Sequence, residues 1–75
     1  MKTLGDMIRD HRSETGETQA QVAKVTGMDR GTWIRYESDR SYPGVRQRKR
    51  VADWLGIELG QLPPEVPREK AGKAK

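Results

Sequence analysis

The chain has no cysteine, no phenylalanine and a single histidine. Without cysteine there is no disulfide framework and no thiolate metal site. That fits a reducing, intracellular compartment, and a cytoplasmic location is expected. His11 alone cannot assemble a metal cluster or a histidine-dependent catalytic constellation, so neither metal nor cofactor is expected. Its place on the first helix suits a half-buried packing residue. Aromatic residues are also scarce, two Trp and two Tyr in 75 residues, and they offer no evident stacking platform for RNA. No apolar run approaches membrane-spanning length, and no secretory apolar region follows Met1. "LGIELG" lacks the glycine spacing and the lysine of a phosphate loop. With no nucleophile–base pair in view either, the chain is not expected to be an enzyme.

Charge is abundant and unevenly placed. The net charge is +4. Residues 1–29 hold four Lys/Arg against five Asp/Glu, whereas residues 30–50 hold seven against two. The remaining residues hold four of each. The excess positive charge therefore lies in one segment, as in a footprint for a polyanion. A chain this short makes at most one small domain, and such a domain is marginally stable. A separate ligand-sensing module is not expected within it.

The hydrophobic periodicity is helical throughout, and no stretch alternates over strand length. Thr3 can cap a first helix with Asp6 at its third position, and Gly16 ends it. Thr18 to Gln21 is a capping box that opens a second, short helix, closed by Gly27. Asp29 is the expected cap of the third helix, with Met28 and Trp33 at the positions of a hydrophobic staple. "SYPG" at 41–44 is a loop. A fourth helix is expected over about 45–55, and Ile57, Leu59 and Leu62 suggest a short fifth. Pro63, Pro64 and Pro67 stop regular structure. Residues 1–62 thus form the domain, and residues 63–75 a proline-containing basic tail, expected to be disordered.

"GMDRGTWIRYE", residues 27–37, carries the functional question. At about 100° per residue, Trp33, Tyr36 and Glu37 share one face, and Gly31, Ile34, Arg35 and Ser38 share the opposite one. Arg30 begins the helix beside that second face. The aromatic face belongs in the core. The other face is odd for mere solvation, because glycine costs a helix about 1 kcal/mol relative to Ala. It removes bulk at the N-terminus, where something could approach the backbone. Arginine can fork onto guanine O6 and N7, and an aliphatic group can touch a thymine methyl. That is the chemistry of a major-groove reader.

Gln19, Ala23, Gly27, Trp33 and Tyr36 fall at offsets of 0, 4, 8, 14 and 17. Ala23 is small enough for two helices to cross closely, and Gly27 suits a tight left-handed turn. Here "TQAQVAKVTGMDRGTWIRYE" resembles the helix-turn-helix core of the lambda-repressor-like, Cro-type (XRE) family. "LGDMIRDHR" is similar to that family's first helix, and "VADWLGIELGQL" to its last two. The resemblance spans about residues 4–62. It implies an all-α fold, a compact five-helix bundle with helices two and three as the helix-turn-helix. It further implies that helix three, about 30–38, enters the major groove of double-stranded DNA. The positions matching base-reading residues are Arg30, Gly31, Ile34 and Arg35, with Asp29 and Thr32 at the edges. Glycine at a commonly reading position puts the weight on Arg30 and Arg35.

The resemblance also pairs Glu37 with Arg12 in a partly buried ion pair. Phosphate contacts are expected from Thr18 and Gln19 on one side. On the other they are expected from Arg40, Ser41 and Tyr42, and from Arg46, Arg48 and Lys49 at the start of helix four. Asp39 stands where the family usually has glycine, so the loop after helix three is expected to differ. Arg48, Glu17 and Thr15 stand where apolar residues are common, which thins the core. The expected function is a DNA-binding regulator, a bacterial or phage repressor that binds a palindromic operator as a homodimer. Trp54, Leu59 and Leu62 are candidates for the dimer interface. The alternatives are an antitoxin-type autorepressor, with "PPEVPREKAGKAK" as the spare segment for a toxin partner, or a protein-interaction module without DNA specificity.

Overall fold

Local signals divide the chain into four helices. The computed structural model describes residues 2–65. The helices are α1 (Leu4–Thr15), α2 (Gln19–Thr26), α3 (Arg30–Glu37) and α4 (Val45–Leu55). There is no strand among the described residues. Thr3 and Asp6 form a reciprocal capping box at the start of α1, and Thr18 and Gln21 do the same for α2. Each box satisfies two backbone N–H groups that the first turn leaves without partners. The glycine that ends α2 has φ 73°, a left-handed conformation open to glycine at little cost. From there the chain turns sharply enough for α3 to begin only a few residues later.

The expected fifth helix is not formed. In its place lies one 3-10 turn, Leu59–Gln61. Gly56 ends α4, Gly60 sits inside the turn, and Leu62 has already returned to extended backbone. Between two glycines and a pair of prolines there are too few residues to repay helix nucleation. The segment serves as a strap instead. Ile57 and Leu62 pack on the core, and the Tyr42 hydroxyl donates to the Pro63 carbonyl. The tail "REKAGKAK" lies outside the described residues.

The core gathers one stripe from each helix: Leu4 and Ile8, Val22 and Ala23, Trp33 and Tyr36, Val51 and Leu55. Fully burying a large apolar side chain is worth about 1.5–3 kcal/mol. Trp33 also satisfies its polar end, its indole N–H donating to Thr26 Oγ1 at 2.9 Å. Trp54 packs edge-on against both Trp33 and His11, with ring centroids 5.2 and 4.5 Å apart. Its indole N–H donates to Glu17 Oε1 at 3.0 Å. Glu17 therefore acts at its unusual position as an acceptor for a core indole rather than as a packing residue.

Asp39 resolves the question of the loop after α3. It adopts φ 60°, the left-handed region, and is the only described residue besides glycine to do so. Its carboxylate accepts from the Gly5 backbone N–H at 3.0 Å and the Thr3 hydroxyl at 2.7 Å. Aspartate thus keeps the turn and adds a clamp on the first turn of α1. A negative charge there also complements the helix dipole. The approach is close: a Cβ on Gly5 would strike the Glu37 carbonyl oxygen and lie 2.7 Å from Asp39 Oδ2.

Candidate nucleic-acid interface

Burying Trp33 and Tyr36 decides what α3 shows to solvent. Both aromatic rings are buried, so Arg30, Ile34, Arg35 and Ser38 are turned outward. Ile34 is 42% exposed, an apolar side chain with an arginine on either side of it. Arg30 shares a cleft with Arg9, Thr18, Gln19 and Glu37, which places it on the side of α3 that faces α1 and α2. Arg35 lies on the opposite edge. The order across the face is therefore cation, aliphatic group, cation.

At the head of the helix, Asp29 accepts from the Gly31 N–H at 2.9 Å. It thus caps α3 as its position predicts. The space over Gly31 is in use. A Cβ there would lie 2.9 Å from Asp29 Oδ2 and 3.7 Å from Arg35 Nη1. The Arg35 guanidinium is folded back along the helix toward its N-terminus. Thr32 is half-buried, away from this stripe.

Behind the face lies a polar network that holds α3 to α1 and α2. Arg12 donates to Glu37 through Nε at 3.0 Å and Nη2 at 2.7 Å, a two-pronged pair. Glu37 is 8% exposed. Arg12 Nη1 reaches on to the Glu17 carbonyl. Gln19 donates to Glu37 Oε1 at 3.2 Å. Burial pushes the Glu37 carboxyl upward, but the hydrogen bonds from Arg12 and Gln19 and the charges of Arg12 and Arg9 outweigh it. The net effect holds Glu37 below its ordinary value. The same hydrogen bond raises Arg12. Asp6 is also lowered, first by the Thr3 backbone N–H. On the other side of the range, burial raises the Tyr36 hydroxyl.

These shifts set a pH window for stability. Glu37 and Asp6 favour the fold when ionised, so their contribution is present above the ordinary carboxylate range and lost as pH falls below about 4.5 for Glu37 and about 3.8 for Asp6. Tyr36 favours the fold when protonated, so its contribution is lost as pH rises past about 10. Thermal unfolding followed from pH 3 to 11 is expected to give a flat-topped curve with those two edges. A midpoint that held steady down to pH 3 would show that the hydrogen bonds and charges around Glu37 and Asp6 do no more than offset burial.

The expected phosphate contacts divide into two groups. Arg40, Arg46 and Lys49 are exposed, with Lys49 beside Asp53 one turn on. Thr18 is exposed at the start of α2, its oxygen accepting from the Gln21 N–H. The others are held within the fold. Gln19 is tied to Glu37. Tyr42 is tied to Pro63, and Ser41 is half-buried. Arg48 donates from Nε to the Pro43 carbonyl at 3.0 Å and lays its guanidinium over the Tyr42 ring. It shapes the loop that carries Arg40 and Ser41.

Of the expected interface trio, Trp54 is engaged within its own chain, Leu62 packs partly on the core, and Leu59 stands exposed. The partners of two residues do not show in the sequence. Arg9 donates to the Glu37 carbonyl at 2.8 Å and lines a second cleft with Gln19, Ile34 and Ser38. Its spacing of three from Arg12 places both on one face of α1, which is the signal that could have found it. Asp39 carries no such signal, because its partners are more than thirty residues away.

Comparison with known proteins agrees with this geometry. The profile of a family described as a helix-turn-helix domain matches residues 3–64. A protein named as an uncharacterized HTH-type transcriptional regulator from Methanothermobacter thermautotrophicus is 41% identical over 58 residues, covering 77% of this chain and 80% of that protein. The ImmF control region 10 kDa protein of Bacillus phage phi105 is 33% identical over 61 residues, covering 81% of this chain and 68% of that protein. No solved structure gives a significant match.

Proposed function

We propose, because the chain belongs to the helix-turn-helix domain family, that it is a sequence-specific regulator that docks α3 in the major groove of an operator. One observation carries this reading. The solvent face of α3 presents Arg30, Ile34 and Arg35 side by side, while the aromatic residues of the same helix are buried. An exposed aliphatic group between two arginines suits base edges and thymine methyl groups better than bulk water. The excess positive charge of residues 30–50 supplies the phosphate attraction around it.

A reader this small covers only a few base pairs, so adequate specificity favours two chains on a two-fold operator. The exposed Leu59 near the end of the domain is the proposed point of contact between them. Repression is the proposed mode of control, because a chain seated in the major groove of an operator competes with other proteins for the same DNA. The names of the two relatives, a transcriptional regulator and a phage control-region protein, are in keeping with this.

Selection from random duplex DNA tests the proposal. A palindromic motif with two chains bound per site is the expected outcome, and sequence-blind binding alone would overturn it. Salt titration of the selected site tests the flanking basic residues. If Arg46 neutralises one phosphate, Arg46→Ala is expected to reduce the log–log salt slope by about 0.9 per chain. The preference among sequences is expected to stay unchanged. An unaltered slope would place Arg46 off the DNA.

A further inference from the structure

The head of α3 holds three residues whose side chains, or lack of one, converge on a single point. A Gly31 Cβ would stand 2.9 Å from Asp29 Oδ2, closer than van der Waals contact allows, and 3.7 Å from Arg35 Nη1. They do not form a direct ion pair. A guanidinium and a carboxylate are thus held next to each other, both exposed, on the face turned to solvent. Asp29 uses Oδ2 for the Gly31 N–H. A carboxylate has about four acceptor positions, so capping leaves it able to accept again.

The charge pattern needs an explanation. An exposed carboxylate on a surface meant for DNA is repelled by phosphate, and serine would cap the helix about as well. The characteristic use of a carboxylate in the major groove is to accept from the amino group of cytosine. In a G·C pair that amino group lies beside guanine O6, which arginine recognises together with N7. An adjacent guanidinium and carboxylate therefore match the two halves of one G·C pair, or of two successive pairs.

We propose that Asp29, Gly31 and Arg35 form one compound reader for G·C, with Gly31 setting specificity by the side chain it lacks. The proposal rests on the DNA-binding reading above and deepens it. Arg35 forks onto guanine, Asp29 accepts from cytosine, and the bare Gly31 backbone leaves room for both groups to lie close to the helix. Arg30 and Ile34 read the neighbouring positions.

The test is competitive binding to the selected duplex and to its single-base-pair variants, with wild type, Asp29→Asn and Gly31→Ala. Asparagine caps a helix as well as aspartate does, so Asp29→Asn keeps the fold. It is expected to lose about tenfold in discrimination at the G·C position and at no other. Gly31→Ala places a methyl group where the two side chains meet. Alanine is the better helix former, but its Cβ would stand 2.9 Å from the capping Oδ2 of Asp29, which must give way, so thermal stability is expected to stay near that of wild type while discrimination at the same base pair falls. If Asp29 only caps the helix, Asp29→Asn removes a repulsive charge and tightens binding to every sequence by the same factor. That outcome overturns the proposal and leaves the DNA-binding reading standing. Retention of the full wild-type motif by Gly31→Ala overturns it as well. Failure of the wild type to select any motif defeats the broader reading, and is recognised before any variant is made.

Discussion

Arg12→Ala is expected to remove about 3–5 kcal/mol of stability. The reason is the position of Glu37, which is 8% exposed and takes two hydrogen bonds from the Arg12 guanidinium. Without Arg12, a buried carboxylate keeps only the weaker donation from Gln19. The Glu17 carbonyl loses a donor as well. A domain of this size has roughly 3–10 kcal/mol in total, at about 0.05–0.15 kcal/mol per residue. The single substitution therefore removes roughly a third of the margin or more. Urea unfolding followed by Trp fluorescence gives the measurement, since Trp33 and Trp54 both sit in or against the core.

A paired variant separates the burial cost from the attraction. Replacing both partners with apolar residues, as in Arg12→Met with Glu37→Leu, removes the stranded charge. Such replacements are often neutral, so the double variant is expected to be more stable than Arg12→Ala by about 2 kcal/mol or more. A loss below about 1 kcal/mol in Arg12→Ala would mean that water reaches Glu37 and the pair behaves as a surface bridge.

Arg35→Ala is expected to abolish most operator discrimination while sparing the fold. A bidentate arginine–guanine contact is worth about 1–3 kcal/mol. On a two-fold site both halves lose it, so the expected loss is about 2–6 kcal/mol, at least thirtyfold in affinity. Arg35 is exposed and contributes no side-chain hydrogen bond to the polar network behind the face. Its removal is therefore expected to shift stability by no more than about 0.5 kcal/mol. Arg35→Lys keeps the charge but not the planar fork. It is expected to retain the salt slope and lose discrimination at the guanine. If alanine weakened every sequence equally, Arg35 would be a phosphate contact and the reader would lie elsewhere on α3.

Caps, helix spans and the outward face of α3 are legible in the sequence because their causes are local. A capping box needs residues three apart, a left-handed turn needs one glycine, and an amphipathic face needs only its own period. Gly27, Asp29 and the Trp33–Tyr36 stripe all behave as their neighbours dictate. The missing fifth helix is a matter of length. Apolar spacing at Ile57, Leu59 and Leu62 fits helix or strap equally over so few residues, and the flanking glycines and prolines favour the strap.

The sequence alone thus established an all-helical domain, a turn at Gly27 and a cationic face around Ile34, since each follows from residues within a turn or two. It could not place Asp39 on the N-terminus of α1, Arg9 on the Glu37 carbonyl, or the Trp54 indole on Glu17. It could not place the Arg35 guanidinium over Gly31 either. The first three contacts join segments far apart in the chain, and the last depends on a side-chain rotamer. Only tertiary packing selects such partners, because a charged side chain in an unfolded chain has many alternatives, water first among them. Burial removes those alternatives one by one until a single donor or acceptor remains in reach.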